Sequence, residues 1–385
     1  MADVVIAGIG QVPVGEHWEL SLRTLAARAI QAARRDAAGL QPQALYVGNV
    51  LASTVSHQAN LGALLVDDTA LGGIEAFSVE AAEASAAGAF RLGYLAIASG
   101  FVDTALVVGV EKYTDMVGPE LESAVANILD SDYEGMQGLT PAAQAALLMQ
   151  RYLYETNAPR QAFAGFATVA QRNAVSNPNA YFHKAIDREA YAKSEVVMEP
   201  LNLYDIAPYA DGAAALLLAC SDCIPANFPH PVVKVTGSSV MVDALALHDR
   251  PDPLAFTAAH LSVEEASRQA GILPKDVDFF ELWDAYSVYA ALSLEAAGFA
   301  RRGEGWKLAQ GEDLALTGKL PISTLGGQKG RGNPLGASGA YQLVEAALQL
   351  RGEAGPNQLK VPRRALVQAL GGPAATAVTH ILERI

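Results

Sequence analysis

Cysteine is almost absent from this chain of 385 residues, which contains only Cys220 and Cys223. Two thiols so close together cannot connect distant segments, so a disulfide scaffold like that of small secreted proteins is excluded. A structural zinc site needs about four ligands, and no second CxxC or histidine pair accompanies this Cys-Ser-Asp-Cys sequence. We therefore expect two inert thiols at the end of a strand, and no metal.

Positive charge and long apolar runs are also scarce. The chain has 27 basic against 41 acidic residues, a net charge of −14, which argues against a nucleic-acid partner because counterion release needs a basic surface. The longest apolar candidate, residues 81–102, contains Glu83 and Arg91, so no membrane span is expected. The first residues show no basic signal-peptide region. These absences predict a cytoplasmic protein.

The residues that are present favour a folded α/β protein. Hydrophobic residues make up 51% of the chain, which excludes disorder, and short β-rich runs alternate with longer helical ones. The length suggests two domain-sized units, which we place at residues 1–225 and 226–385 on either side of a Pro-rich link. Residues 112–200 lack long β-branched runs and are predicted to form an inserted, mostly helical lid.

The patterns predict individual elements along the chain. Strands are expected at residues 4–7, 44–50, 75–79, 104–110, 213–220, 232–238, 277–282, 365–369 and 376–382. Helices are expected at residues 20–37, 84–99, 142–156, 161–174, 256–270, 284–297 and 338–350. A weak internal repeat aligns residues 86–92 with residues 337–343. Two helices that begin with small residues can pack closely or bring backbone N–H groups to a ligand, and both roles stay open.

Glycine and two cations dominate residues 326–332, Gly-Gly-Gln-Lys-Gly-Arg-Gly. The segment lacks the Gly-Lys-Ser/Thr ending of a nucleotide-hydrolysing loop. We expect a flexible, locally basic loop in which Lys329 and Arg331 are either solvated or contact an anionic substrate.

Four ordered segments resemble the thiolase superfamily. Residues 318–340 are similar to its C-terminal signature, whose core is Gly-His-Pro-Leu/Ile-Gly-Ala-Ser/Thr-Gly, and residues 211–215 are similar to its Asp-Gly-Ala-Ala-Ala strand start. Residues 276–286 resemble the strand that ends in Asn-Glu-Ala-Phe or His-Asp-Cys-Phe. Residues 79–89 resemble the segment that carries the nucleophilic cysteine. The similarity is strongest to the lipid-transfer-protein or sterol-carrier branch.

This resemblance implies a five-layer α-β-α-β-α fold made of two similar halves. It also implies an acyl-CoA substrate, no cofactor beyond that thioester, and a homodimer. Relatives in this branch work with a small OB-fold, zinc-ribbon partner, so a heterotetramer with such a partner is a further expectation.

The sequence departs from the family pattern where the chemistry should be. Glu83 stands at the position of the nucleophilic cysteine, Asn333 at that of the Gly-His-Pro histidine, and Ala369 and Ala285 at those of the acid/base cysteines. An acyl-enzyme needs a thiolate, and a carboxylate is a much poorer acyl acceptor. Conventional thiolase activity is therefore expected to be absent.

A retro-aldol reaction needs only a base for the β-hydroxyl proton and donors that stabilise the enolate. Cysteine-less members of this branch are steroid side-chain aldolases that use tyrosines as acids and bases. The resemblance therefore predicts catalytic roles for Tyr286, Tyr341, Glu83 and Asn333. A phenol with a reference pKa of about 10 needs a neighbour that lowers its pKa.

Other motif residues are predicted to contact the substrate: Trp283, Asp284, Tyr289, Gly336, Gly339, Gly371, Lys329 and Arg331. Packing is the alternative role for the tyrosines, and helix capping that for Asp284. Glu83 is a general base, a hydrogen-bond partner of a tyrosine, or a relic that blocks the old acyl site. Two other functions stay open: a catalytically silent subunit that binds acyl-CoA or supports a partner, and an acetyl-CoA acyltransferase or thioester decarboxylase.

Overall fold

The computed structural model describes residues 2–385. The strands are β1 (Val4–Gln11), β2 (Ala44–Gly48), β3 (Glu75–Val79), β4 (Thr104–Glu111), β5 (Val196–Met198), β6 (Leu201–Asn202), β7 (Gly212–Cys220), β8 (Val233–Val242), β9 (Phe279–Glu281), β10 (Arg364–Gly371) and β11 (Thr376–Arg384). The helices are α1 (Leu22–Asp36), α2 (Leu61–Asp68), α3 (Ser85–Ala98), α4 (Pro119–Val125), α5 (Pro141–Thr156), α6 (Ala164–Ala174), α7 (Arg188–Lys193), α8 (Thr257–Ala270), α9 (Ser287–Ala296), α10 (Gly305–Leu308), α11 (Gly327–Arg331) and α12 (Ser338–Arg351).

Nine strands form one mixed sheet in the order β3-β2-β4-β7-β1-β8-β11-β10-β9. The first five strands in this order come from the N-terminal part of the chain and the last four from the C-terminal part. The two parts meet where β1 pairs with β8, through Val5 with Lys234 and Ile6 with Val233. Because this pairing covers two residues on each strand, the sheet consists of two wings with a narrow junction.

Helices cover both faces of each wing. In the N-terminal wing α1 packs on β1, β4 and β7, and in the C-terminal wing α8 packs on β8 and β11. Helices α3 and α12 contact each other and both wings. Neighbouring residues of β11 show this arrangement: Thr379 bonds to Ser262 of α8 at 2.7 Å, whereas His380 lies 3.2 Å from the Ala87 carbonyl oxygen of α3. The predicted five-layer α/β fold is confirmed.

Small residues allow the two central helices to approach. A Cβ on Gly339 would lie 2.8 Å from the Cβ of Ala87, and one on Gly109 would lie 2.7 Å from the Cβ of Ala86 and 2.8 Å from the Cα of Ala337. Such distances are too short for any side chain, so these glycines are required by the backbone approach. The repeat aligned in the sequence therefore marks the crossing of α3 with α12.

Residues 112–200, the predicted lid, are inserted between β4 and β7 and contain helices α4 to α7. Phe163 and Phe166 of this region share a hydrophobic cluster with Trp283 and Tyr289 of the C-terminal part. The lid thus covers the region that follows β9. No helix within residues 2–385 is long and apolar enough to cross a bilayer.

All nine predicted strands and all seven predicted helices are present, with shifted ends. The helix predicted at residues 284–297 begins only at Ser287, because the preceding residues are extended and Tyr286 pairs with Ile206. The prediction of a flexible basic loop at residues 326–332 is wrong. This segment contains α11 and is buried throughout.

Candidate active site

A tight turn places Glu83 at the start of α3. Ala82 has φ of 49°, a left-handed conformation that is uncommon for a residue other than glycine. The Ser85 hydroxyl holds this turn, since it accepts the Ala81 N–H at 2.9 Å and donates to the Ala82 carbonyl at 2.5 Å. Strained backbone of this kind persists when it positions a functional group. Here it turns Glu83 inwards, where the residue is only 3% exposed.

The Glu83 carboxylate accepts one hydrogen bond, from the N–H of Gly372 at 2.7 Å. Across residues 2–385 it forms no ion pair. Burial raises its pKa from 4.5 to about 7, against the opposing effect of the Gly372 N–H. Both protonation states are therefore populated near neutral pH, which suits a general acid or base.

Three aromatic residues form a wall near Glu83. The ring centroids of Tyr286 and Tyr289 are 5.2 Å apart, and those of Trp283 and Tyr289 are 5.6 Å apart. Burial, with an added effect of the Glu83 charge, raises the pKa of both tyrosines well above 10. The expected lowering of the phenol pKa is therefore wrong for this site. These tyrosines are proton donors at neutral pH and not phenolate bases.

Tyr209 joins this group, although the sequence analysis missed it. Burial and then the charges of Glu122 and Glu83 raise its pKa, and its hydroxyl donates to Glu122 Oε2 at 3.4 Å. Its backbone pairs with that of Asn333. The only signal in the sequence was its place two residues before Asp211 of the Asp211-Gly212 motif.

Hydrogen bonds to both the backbone and the side chain of Asn333 hold it in place. Its backbone carbonyl accepts the Tyr113 hydroxyl at 2.6 Å, and its Oδ1 accepts the Ser338 hydroxyl at 3.0 Å. Nothing within residues 2–385 accepts a hydrogen bond from its Nδ2. That N–H pair is free for an acyl oxygen. Asn333 thus supplies a donor at the histidine position without titrating.

Tyr341, predicted to be catalytic, lies elsewhere. Its hydroxyl is fully buried and bonds to the carbonyl oxygens of Val12 at 2.6 Å and Ala213 at 3.0 Å. Its ring lies beneath the guanidinium of Arg331, 5.0 Å from centroid to carbon. The structure replaces the predicted catalytic role with packing, because helix α12 turns this side chain towards β1 and β7.

Lys329 and Arg331 are buried rather than solvated, and Lys329 lines the same cavity as Ile206 and Pro208. The Lys329 ammonium donates to the Asp205 carbonyl at 3.2 Å and also to the Asp284 carbonyl, and burial lowers its pKa to about 8. Arg331 forms a fully buried ion pair with Glu345 at 2.6 Å. Both cations connect segments inside the protein.

Most of the other predicted substrate contacts are structural. The Gly336 N–H donates a hydrogen bond to the Glu111 carboxylate at 3.1 Å, and Gly339 packs at the crossing of α3 with α12. Asp284 is buried and accepts the Gln328 N–H at 2.7 Å. Gly371 does reach the site, where a Cβ would lie 2.5 Å from the Ala81 carbonyl oxygen. Its neighbour Gly372 provides the hydrogen bond to Glu83.

Next to the cluster is a cavity of about 220 Å³. Lid residues and the segment before Tyr209 line it, including Phe182, Ile206, Ala207 and Pro208. Ile206 pairs with Tyr286 through the backbone. The cavity therefore borders the segment that pairs with Tyr286.

The two cysteines lie far from this cluster, at the opposite end of β7 from Asp211. Their Sγ atoms are 3.1 Å apart and both thiols are free. Ligand atoms of Asp103, Cys220 and Cys223 lie within 4.8 Å of one another. Three such ligands at that end of the strand do not bear on the chemistry at Glu83.

The contrast between the two motif tyrosines is testable. Tyr341→Phe should lower stability by about 1–3 kcal/mol, because the buried Val12 carbonyl loses its hydrogen-bond partner, and should leave the activity of the folded protein unchanged. Tyr286→Phe should lower the activity and leave the stability of the protein nearly unchanged. Thermal melting together with acyl-CoA turnover measures both. Loss of turnover in folded Tyr341→Phe would contradict the assignment.

Comparisons with known proteins agree with this fold. Residues 4–222 match the thiolase N-terminal domain family and residues 239–384 match the thiolase C-terminal domain-like family. An acetyl-CoA acetyltransferase from Methanothermobacter thermautotrophicus is 35% identical, with 100% of both chains covered. A 17-hydroxy-3-oxo-4-pregnene-20-carboxyl-CoA lyase from Mycobacterium tuberculosis is 28% identical over 91% of this chain and 92% of the other. The solved Ltp2-ChsH2(DUF35) aldolase superposes with a TM-score of 0.86 at 26% identity, covering 99% of this chain and 98% of that one.

Proposed function

The chain belongs to the thiolase superfamily, and we propose that it cleaves or forms a C–C bond of a β-hydroxyacyl-CoA by aldol chemistry. The observation that carries this proposal is the buried carboxyl of Glu83. It stands where the nucleophile is expected, accepts the Gly372 N–H, and burial raises its pKa to about 7. An isolated buried carboxylate is costly to maintain, whereas a proton acceptor at this pKa is useful.

In the cleavage direction, Glu83 accepts the proton of the β-hydroxyl group. The Cα–Cβ bond then breaks, the β-carbon becomes a carbonyl, and the electron pair forms the thioester enolate. Asn333 Nδ2 donates to the enolate oxygen, which stabilises the charge as it develops. Tyr286, protonated because burial raises its pKa, donates its proton to the α-carbon. The proton held by Glu83 then returns to the Tyr286 phenolate, so that both groups regain their starting protonation states.

The relatives named above support two different activities. The pregnene-carboxyl-CoA lyase and the aldolase favour C–C cleavage, while the relative with 35% identity bears the name of an acetyltransferase. Acyl transfer through an enzyme-bound thioester requires a thiolate. With Glu83 at that position, the lyase chemistry fits this chain better.

A catalytically silent subunit is the second candidate, and one observation favours it. Glu83 is 3% and Tyr286 5% exposed, so side chains close the site. Entry of an acyl group therefore requires the lid to move. We assign the route to the cavity beside Ile206 and Pro208, since it adjoins both Tyr286 and the lid.

We propose that the protein forms a homodimer through the edge strand β3, and that it works with an OB-fold, zinc-ribbon partner. Strand β3 lies at the end of the sheet, and Phe77 on it is exposed. An apolar side chain on an unpaired sheet edge favours association with another chain. Sedimentation analysis at several concentrations should give the mass of two chains. A concentration-independent mass of one chain would overturn the dimer.

The function is tested by turnover of a panel of β-hydroxyacyl-CoA esters, with a 17-hydroxy steroid side chain or an aryl group, with and without the partner. Release of a ketone or aldehyde, detected by mass spectrometry, is expected. Absence of cleavage across the panel, with acyl-CoA binding intact, would favour the silent subunit. Isotope exchange at the α-carbon of a simple thioester separates enolate chemistry from binding alone.

A further inference from the structure

Arg250 is a buried cation beside the turn at Gly372 and Pro373. It lies between β8 and α8 and is 6% exposed. Its Nη1 donates to the Pro373 carbonyl at 2.5 Å and its Nε to the Ala244 carbonyl at 2.8 Å. Pro373 directly follows Gly372, whose N–H binds Glu83. Arg250 therefore borders the candidate active site.

Arg250 differs from the other buried arginines because it has no counter-ion. Arg331 pairs with Glu345 at 2.6 Å and Arg351 with Asp36 at 2.7 Å. Within residues 2–385 no carboxylate lies within 4.0 Å of the Arg250 guanidinium nitrogens, and its buried Nη2 has no hydrogen-bond partner. Leaving a buried charge unpaired is strongly unfavourable.

The nearby acidic groups are already engaged. Asp243 Oδ1 accepts the Ala244 N–H at 2.8 Å. Glu134 Oε1 accepts the Leu247 N–H and the Gln144 side chain, both at 3.0 Å. The third titratable neighbour is Tyr289, a member of the aromatic wall near Glu83. The unpartnered Nη2 of Arg250 therefore lacks an anion from the protein itself, and the group lies close to the Gly372 turn that binds Glu83.

We propose that Arg250 binds a carboxylate carried by the acyl group of the substrate, so that the preferred thioester is that of a dicarboxylic acid. This inference rests on the proposed function, which makes the Glu83 cluster the acyl site. The two N–H groups of Nη2 would donate to the carboxylate oxygens and complete the missing ion pair. An uncharged acyl chain in the same position would leave the guanidinium unpaired.

Calorimetric binding of glutaryl-CoA and pentanoyl-CoA to the whole chain tests this. Neither compound has a β-hydroxyl group, so binding is measured without turnover. Glutaryl-CoA should bind at least about 10-fold more tightly, as expected for a charge-assisted hydrogen bond. Arg250→Gln should abolish this preference and leave pentanoyl-CoA binding unchanged. Arg268→Gln, which alters an exposed arginine paired with Glu265, is the matched control.

The other outcomes separate the two proposals. Equal affinity of the wild type for both thioesters, or a preference that survives in Arg250→Gln, would overturn the role of Arg250 alone. The same would follow if Arg250→Gln weakened free CoA equally, because the cation would then bind a CoA phosphate. Absence of binding by either thioester would overturn the proposed function as well. If Arg250→Gln fails to fold, Arg250→Lys should keep a reduced preference for glutaryl-CoA.

Discussion

Glu83→Gln should lower the rate of β-hydroxyacyl-CoA cleavage by about 10²- to 10⁴-fold, the usual contribution of a general base. Glutamine keeps the shape and can still accept the Gly372 N–H, but it cannot take a proton. Binding of acyl-CoA should change little. Steady-state turnover and calorimetric binding measure the two effects, and Glu264→Gln on the exposed face of α8 is the control.

The pH dependence gives an independent check on Glu83. Its ionised form is the active base, so kcat/KM should rise with pH through about 7 and this step should vanish in Glu83→Gln. If the protein is a catalytically silent subunit, Glu83→Gln should not change the activity of the complex that it forms with an active partner. An unchanged cleavage rate in folded Glu83→Gln would remove this residue from the mechanism.

The same substitution, which lowers activity, should increase the stability of the protein at alkaline pH. Since the folded-state pKa of Glu83 is raised from 4.5 to about 7, its contribution to stability is full below pH 4.5 and is lost as the pH rises through 7. One pKa unit corresponds to about 1.4 kcal/mol. Glu83→Gln should therefore raise the melting temperature at pH 8 to 9 and leave it unchanged near pH 4.

Arg331→Met should destabilise the protein by about 3–5 kcal/mol, because it leaves the fully buried Glu345 without its partner. Burial already raises the pKa of Glu345 to about 7, and the Arg331 charge opposes this. Tyr341 would also lose the cation over its ring. Denaturant unfolding at neutral pH measures the change in the free energy of unfolding.

Two controls make the Arg331 result interpretable. Arg268→Met, at an exposed ion pair with Glu265, should change stability by less than about 1 kcal/mol. Combining Arg331→Met with Glu345→Leu should recover much of the loss, since the pair is then replaced by apolar groups. If Arg331→Met lowers the free energy of unfolding by less than about 1 kcal/mol, the Arg331–Glu345 ion pair does not contribute to stability as predicted.

Local pattern was sufficient for the main elements of the fold. Strands such as β4 and β7 are continuous apolar runs buried on both faces, and such runs are visible without knowing their neighbours. Short elements such as α11 were missed, because glycine-rich segments have weak local preference. In α11 the backbone N–H of Gln328 is bound by Asp284, a residue from a distant part of the chain.

By itself, the sequence determined the superfamily, and its motifs predicted that Glu83 and Asn333 stand at the positions of the nucleophile and the histidine. These follow from residue identity within motifs, which requires no coordinates. Only the tertiary structure decided between Tyr286 and Tyr341. Both follow signature motifs, but the direction of each side chain depends on contacts with remote segments, such as Val12 for Tyr341.

The same reason explains the other differences. Lys329 and Arg331 look solvated in a glycine-rich, basic stretch, yet carbonyl and carboxylate partners from other elements allow both to be buried. Arg250 has no motif and became notable only because it is buried without a carboxylate partner and with an unpartnered Nη2. The two cysteine positions could therefore be read from the sequence alone, whereas the burial of Lys329, Arg331 and Arg250 depends on long-range packing.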